Sequence, residues 1–271
     1  MLYSILREPP FRLFVKSVLK YLPIPVSART RDLWEISARP QYFLGVRTAA
    51  KMAINQGVQR ICVIEFGCAG GNGLLALEAA ADAIEREMDL QIGVFGFDAG
   101  TQGLPPLIGD FRDHPDFWQA GDFQMNVDAL RERLSRRTEL VLGDVATTVP
   151  EFVSKTQNAP IGFASFDLDL YSSTSNALKV FSHPEKSMLR QVPLYFDDIE
   201  FIVNHRWAGE FLAINEFNER NKDVKIDKWY GVRNGRPFHD RSYLDRMFVA
   251  HDLKAITKTA LNRSKVALPL R

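Results

Sequence analysis

Acidic side chains follow the apolar runs of this sequence at the points where buried strands are predicted to end. Acids are depleted within strands, and folding alone does not explain five strand ends that carry them. In an open parallel sheet, ligands bind beyond the carboxyl ends of the strands. The candidate site residues are therefore Glu65, Asp98, Asp144, the pair Asp167 and Asp169, and the pair Asp197 and Asp198.

Two of these positions carry paired acids. Asp167 and Asp169 would point to the same side of an extended backbone, and neighbouring parallel strands lie about 4.8 Å apart, so Asp197-Asp198 would converge on the same spot. Like charges repel unless a cation joins them, and carboxylate oxygens favour Mg²⁺ or a similar ion. We therefore predict a metal site here; the alternative is that Asp169 and Asp198 cap the helices that follow.

A metal at this place would support chemistry on a hydroxyl group. A bound cation lowers the pKa of a hydroxyl as it does that of water, and a carboxylate outside the metal ligands can take the proton as general base. His205 follows the Asp197-Asp198 pair and could reach the site, so it is the second catalytic candidate; the alternative is a solvent-facing histidine. The sequence contains neither a nucleophilic triad motif nor zinc-ligand spacing.

A glycine-rich loop follows the first predicted strand, in the order Glu65-Phe-Gly67-Cys-Ala-Gly70-Gly71-Asn-Gly73. Glycines let the backbone turn sharply and approach a ligand closely. The run 71–76 matches the dinucleotide pattern G-x-G-x-x-A, but Ala76 would lie well inside the next helix. S-adenosylmethionine (SAM) carries a cationic sulfonium and an ammonium, which suit a carboxylate at Glu65. We predict SAM at this loop, with NAD as the alternative.

Two further acids fit a nucleoside cofactor. Asp98, at the end of the second strand, can accept hydrogen bonds from both ribose hydroxyls, a role that NAD and SAM sites share. Asp144, after the third strand, can accept from the adenine amino group, or it can instead cap the next helix.

Strands and helices alternate from about residue 40 onward. This order predicts an α/β, Rossmann-like fold with a mostly parallel seven-stranded sheet and helices on both faces. The predicted strands cover residues 60–66, 91–97, 140–142, 161–168, 192–196, 225–232 and 246–251, with the last two as an antiparallel pair. The predicted helices cover residues 42–55, 74–88, 127–134, 149–156, 173–181 and 207–219.

Residues 1–40 are predicted to form a helical extension ahead of a domain over residues 41–271. An apolar stripe from Phe11 to Leu22 has Arg12, Lys16 and Lys20 on its other side, and prolines follow at 23 and 25. Such a helix packs on the core or on a second subunit, so a homodimer is an expectation; the alternative is a helix at a membrane interface.

Composition limits the classes of function. The chain has 271 residues and a formal net charge of +1, so no strong field would attract nucleic acid. We expect a small-molecule partner. Cys62 and Cys68 form no disulfide framework, which predicts a reducing, cytoplasmic setting. The sequence contains no run of about 18 apolar residues, so we predict no transmembrane helix.

Four segments together resemble the macrocin O-methyltransferase family in order and spacing. They are GFDAGTQGLPP (96–106), GDVATTVP (143–150), FDLDLYSSTSNAL (166–178) and YFDDI (195–199). The likeness covers roughly residues 60–220. The chain departs from the family at HPEKSMLRQVP, where a Pro-Gly-Gly turn is usual, and in a glycine loop one residue shorter than expected.

The resemblance implies a class I, metal-dependent SAM methyltransferase acting on sugar hydroxyls. It assigns Asp167, Asp197 and Asp198 as metal ligands and Asp169 as general base. It places Glu65, Gly67, Asp98 and Asp144 around SAM, and we add Gly70, Gly71 and Asp167 to that set. We expect a SAM- and Mg²⁺-dependent O-methyltransferase of a small molecule, such as a sugar or glycosylated metabolite. The alternatives are an NAD(P)-dependent oxidoreductase and a SAM-binding protein without turnover.

Overall fold

The computed structural model describes residues 10–23, 25–155, 159–201 and 204–260 of the chain. Its helices are α1 (Phe11–Tyr21), α2 (Ala28–Leu33), α3 (Pro40–Asn55), α4 (Asn72–Glu85), α5 (Val127–Arg133), α6 (Val145–Lys155), α7 (Tyr171–Ala177), α8 (Gly209–Arg220) and α9 (Leu253–Thr257). Its strands are β1 (Arg60–Phe66), β2 (Gln91–Asp98), β3 (Thr138–Leu142), β4 (Ile161–Phe166), β5 (Gln191–Phe196), β6 (Val224–Lys228) and β7 (Met247–Asp252).

The seven strands form one sheet in the order β3-β2-β1-β4-β5-β7-β6. The first five are parallel, and β7 runs antiparallel to both of its neighbours, β5 and β6. The predicted fold class, including the late antiparallel pair, is confirmed. The strand order reverses between β1 and β4, which creates the crevice where open α/β sheets bind ligands.

A row of phenylalanine rings crosses the sheet beside this crevice. Phe66 pairs in register with Phe97 on one side and with Phe166 on the other, and Phe166 pairs with Phe196. The ring centroids of consecutive members are 4.8, 5.0 and 4.7 Å apart. All four rings are fully buried, and each phenylalanine is the last or the next-to-last residue of its strand, next to the loops of the crevice.

Most predicted elements match the structure within about four residues, and the differences at three of them have a bearing on the site or on the sheet. Strand β4 ends at Phe166 rather than residue 168, where its pairing with β5 stops, and the backbone has left the extended region at Asp169, whose φ is 60°. Helix α6 begins at Val145, four residues early, and contains Pro150; its predicted end at residue 156 lies outside the described residues. Strand β6 ends at Lys228 rather than residue 232.

Helix α1 turns its charged side toward the rest of the protein. The guanidinium of Arg12 forms an ion pair with Asp240, and Lys16 pairs with Glu35. None of its residues is buried, and Phe11 and Phe14 are exposed, so α1 does not pack on the core as one alternative predicted. The homodimer stays a prediction, as does the division at residue 40.

A buried ion-pair network anchors the segment after α1. The carboxylate of Asp32, in α2, accepts hydrogen bonds from Arg47 in α3 and from Arg236 in the loop before β7, each at 2.9 Å. Glu35 accepts from Tyr243 and Arg241 of the same loop. These contacts hold α2 against α3. Among the described residues, no helix is both long and apolar enough to cross a bilayer.

Gly45 sets the distance between α3 and the sheet, and this gives the first prediction. A Cβ atom at Gly45 would overlap the buried ring of Phe163 in β4. We expect Gly45→Ala to lower the free energy of unfolding by about 1–3 kcal/mol, because overpacking outweighs the better helix propensity of alanine. Urea unfolding measures this loss. Gly70→Ala is the matched control, since no atom lies within 4 Å of a Cβ there. A Gly45→Ala protein as stable as the wild type would contradict the packing.

Candidate active site

A cavity of about 680 Å³ opens at the carboxyl ends of β1 to β4. Its lining comes from the glycine loop, the segment after β2, the start of α6 and the turn after β4. A wider depression of about 830 Å³, lined by residues 58–60 and 85–91, lies at the opposite edge of the sheet. Ligands of open α/β sheets bind at the carboxyl edge. The smaller cavity is therefore the candidate site. The cavity contains these predicted residues: Gly67, Asp98, Asp144, Asp167 and Asp169.

The loop after β1 depends on glycine at two positions. Gly67 has φ of 82°, and a Cβ there would overlap the carbonyl oxygen of Asp167. Gly71 has φ of 76°, and a Cβ there would overlap the side chain of Leu130. Both positions need a residue without a side chain. Gly70 is exposed, and its surroundings would admit a Cβ; its predicted cofactor contact stays a prediction.

Asp98 holds the glycine loop in place. Its Oδ2 accepts hydrogen bonds from the backbone N–H groups of Cys68 and Ala69 at 2.8 and 2.9 Å. Its Oδ1 accepts from the N–H of Gly100 at 2.6 Å. The carboxylate thus organises the loop and also lines the cavity. The predicted contact of Asp98 with the ribose hydroxyls stays a prediction, and nothing in the residue pattern indicated this loop-holding role.

Glu65 lies behind the loop rather than in the cavity lining. It is buried, and its Oε1 accepts a hydrogen bond from the Tyr42 hydroxyl at 2.6 Å. Burial raises the pKa of Glu65 to about 8, while the Tyr42 bond and the nearby Arg39 partly oppose this. A direct contact between Glu65 and a cofactor stays a prediction; the structure shows a residue that supports the loop.

The position of Glu65 also explains the dinucleotide-like pattern. A Cβ at Gly73 would overlap the Glu65 carboxylate, so this glycine makes room for a buried acid. Gly73 and Ala76 both lie inside α4, after the turn that Gly71 makes. The pattern therefore reflects helix packing and does not form a phosphate-binding turn.

Asp144 caps the start of α6, which was the alternative to a contact with the adenine amino group. Its side chain is exposed, and its Oδ1 accepts from the N–H of Ala146 at the start of α6, at 2.8 Å. It also borders the cavity. Contact with an adenine amino group stays a prediction.

Asp167, Asp197 and Asp198 converge as the sequence analysis expected. Each offers a carboxylate oxygen, and these oxygens all lie within 4.8 Å of one another. Ligand oxygens around an octahedral Mg²⁺ ion are roughly 3–4 Å apart, given bond lengths near 2.1 Å. The three half-buried carboxylates therefore fit a hard divalent cation. Asp197 is also held by the hydroxyl of Tyr195 at 2.6 Å and by Arg246 at 3.2 Å.

Asp169 lies beside this group of three. Its backbone is left-handed, a conformation that costs a residue with a Cβ about 1–2 kcal/mol, and its N–H donates to Oδ2 of Asp198 at 3.1 Å. The prediction that Asp167 and Asp169 share a side of an extended strand was wrong about the backbone. Both side chains nevertheless line the same cavity. Asp169 is thus placed beside the candidate metal ligands and exposed to the cavity.

We call the four residues Asp167, Asp169, Asp197 and Asp198 the acidic cluster, and three of its carboxyl groups have raised pKa values. Burial, followed by repulsion from Asp197, raises the pKa of Asp167 to about 7. Burial and then repulsion from neighbouring acids raise the pKa of Asp169 to about 7 and that of Asp198 to about 8. A cation between them would remove this repulsion.

His205 lies outside the cavity lining. It is exposed, and its ring centroid is 5.1 Å from that of His114. Its catalytic role stays a prediction.

Two buried residues near the site were not predicted from the sequence. They are His114, which packs on Phe201, and Glu210, whose Oε2 accepts from the N–H of Asp198 at 3.1 Å. Nothing in the residue pattern distinguished them from other polar residues of loops and helix starts.

The acidic cluster predicts a pH dependence of stability in the absence of divalent cations. The folded-state pKa values near 7–8 lie above the unfolded value of about 4, so the folded state binds more protons between these pH values. The free energy of unfolding should therefore fall by about 1–3 kcal/mol from pH 6 to pH 8. Denaturation in EDTA at the two pH values measures this. Asp198→Asn should reduce the fall, and an unfolding free energy that rises with pH would contradict the argument.

Comparison with known proteins agrees with this geometry. Neither the protein-family models nor the curated protein sequences give a match. Among solved structures, CalS11, a calicheamicin methyltransferase, is 21% identical and covers 90% of this chain and 93% of its own, with a TM-score of 0.51. The O-methyltransferase NovP is 15% identical and covers 93% of this chain and 98% of its own, with a TM-score of 0.52.

These likenesses extend over nearly the whole of each protein. At sequence identities of 15–21%, these likenesses show a shared fold and not a shared function. The resemblance inferred from the four motifs is confirmed at that level: the chain has the class I methyltransferase fold, with a seven-stranded mixed sheet.

Proposed function

We propose that this protein is a SAM- and Mg²⁺-dependent O-methyltransferase that acts on a hydroxyl group of a small molecule, such as a sugar or a glycosylated metabolite. The observation that carries the proposal is the convergence of three carboxylates within 4.8 Å of one another, one of which, that of Asp167, also lines the cavity. Methyl transfer to a hydroxyl draws support from the description of NovP as an O-methyltransferase, and a small-molecule acceptor from that of CalS11 as a calicheamicin methyltransferase. We further propose a cytoplasmic location, since both cysteines are free and buried.

The cofactor end of the cavity would be the glycine loop. Gly67 and Ala69 bring backbone to the cavity, and Asp98 holds this loop through the two hydrogen bonds that it accepts from Cys68 and Ala69. SAM would supply an electrophilic methyl group on its sulfonium. The acidic lining suits that positive charge and would repel a pyrophosphate, which favours SAM over a dinucleotide.

The acceptor end would be the acidic cluster. Asp167, Asp197 and Asp198 would hold Mg²⁺, which lowers the pKa of a bound hydroxyl. Asp169 faces the same cavity without belonging to the ligand set, so its carboxylate can accept the proton of the acceptor hydroxyl. Phe123, half-exposed in the cavity wall, would help to exclude water.

The cofactor assignment predicts a specific binding pattern. We expect isothermal titration of the purified protein to show that SAM and S-adenosylhomocysteine bind with dissociation constants on the order of micromolar. NAD should not bind. Binding should occur with and without Mg²⁺, because the glycine loop is held by Asp98, which is not one of the candidate metal ligands. NAD binding with SAM silent would overturn the proposal in favour of an oxidoreductase.

The metal assignment predicts the effect of Asp198→Asn. We expect Mg²⁺-dependent methyl transfer to fall by at least about 100-fold, because a ligand and its charge are lost, while SAM affinity stays within about twofold of the wild type. Transfer of the labelled SAM methyl group to a panel of hydroxylated sugars measures turnover. Asp223→Asn, at an exposed acid, is the matched control. Full Mg²⁺-dependent activity in Asp198→Asn would contradict the metal site, and SAM binding without any transfer in the wild type would favour a binding protein.

A further inference from the structure

Glu210 is an acid buried beside the acidic cluster, in the first turn of α8. Its side chain is fully buried. Its Oε2 accepts a hydrogen bond from the backbone N–H of Asp198 at 3.1 Å, and its Oε1 has no protein partner within the described residues. Acids are seldom fully buried unless they make a specific contact. The contact that Glu210 makes is the hydrogen bond to Asp198.

This bond is the first of two that join three elements. The carboxylate of Glu210, on α8, accepts from the N–H of Asp198, in the turn after β5. The carboxylate of Asp198 in turn accepts from the N–H of Asp169, in the turn after β4. Helix α8 therefore fixes both turns that carry the acids of the site.

The two adjacent acids of the site are held from different directions. Asp197 is fixed by the side chains of Tyr195 and Arg246, which approach from the sheet and from the residue just before β7. The carboxylate of Asp198 has no side-chain donor within the described residues and accepts from the N–H of Asp169. Its backbone carbonyl accepts from the side-chain amide of Asn204 at 2.9 Å, and its N–H donates to Glu210, which is the bond that ties Asp198 to α8. Loss of that bond would let Asp198 move while Asp197 stays in place.

We propose that Glu210 is a positioning residue for divalent-cation binding, acting through Asp198. The proposal rests on the metal centre of the proposed function and adds to it a residue outside the ligand set. The hydrogen bond requires an acceptor oxygen at this position. Glutamine supplies such an oxygen in the same shape, and leucine does not.

A Mn²⁺ titration followed by electron paramagnetic resonance tests this with the full chain. We expect Glu210→Leu to weaken Mn²⁺ binding by about 10- to 100-fold, the usual effect of losing a partner of a metal ligand, and Glu210→Gln to stay within about threefold of the wild type. S-adenosylhomocysteine affinity should be unchanged in both variants, which shows that the fold and the glycine loop are intact.

Glu78 provides a matched control. It is also buried, and its Oε1 accepts from Ser135 and Thr138 at the start of β3, away from the acidic cluster. Glu78→Leu should lower stability without changing Mn²⁺ affinity. The control separates a general cost of replacing a buried acid from an effect on the metal centre.

Three results would overturn the proposal. Wild-type Mn²⁺ affinity in Glu210→Leu would show that Glu210 does not position Asp198, and equal losses in the leucine and glutamine variants would show that the acceptor oxygen is not what matters. Absence of Mn²⁺ binding in the wild type would remove the metal centre together with this inference, whereas the first two results leave that centre standing.

Amide hydrogen exchange in the wild type decides the matter if the leucine variant does not fold. The N–H of Asp198 should exchange slowly, because it donates to a buried carboxyl group. Fast exchange at Asp198 would mean that the bond is absent in solution and would overturn the proposal.

Discussion

The row of stacked phenylalanine rings is the contact on which the candidate site depends. Each ring is the residue immediately before a functional segment: Phe66 before the glycine loop, Phe97 before Asp98, Phe166 before Asp167 and Phe196 before Asp197. Because the four phenylalanines pair in register, the residues that follow them lie at the same level of the sheet. A buried apolar layer thus lies directly below the acids at the carboxyl ends of the strands. If one strand shifted by one residue, its acid would point away from the site.

The acids at the carboxyl ends of the strands destabilise the folded state. Burial and mutual repulsion raise the pKa of Asp167, Asp169 and Asp198, and Asp169 adds a left-handed backbone. Functional sites commonly store strain of this kind, which the surrounding structure must offset. Here the offset comes from the phenylalanine row below and from bonds of Asp98, Tyr195 and Arg246 to the loops.

Much of the fold could be predicted from the sequence, because apolar runs with β-branched and aromatic residues mark buried strands by composition alone. The converging acids could be predicted too, since they directly follow such runs. The direction of each side chain could not. Glu65 and Asp98 both lie within the last two residues of their strands, yet Glu65 points to Tyr42 behind the loop and Asp98 to the loop amides. Glu210 was missed because only the folded chain brings α8 against the turn after β5.

The placement of β7 between β5 and β6 has a consequence for how the chain assembles during synthesis. Strand β6 leaves the ribosome before β7, but it has no strand to pair with until β7 arrives. The outer edge of β5 likewise stays unpaired, and open strand edges recruit other chains. The parallel half of the sheet can form as it emerges, whereas the last two strands must be added together. Newly made protein is therefore most exposed to misassociation in the interval before residue 252 is available.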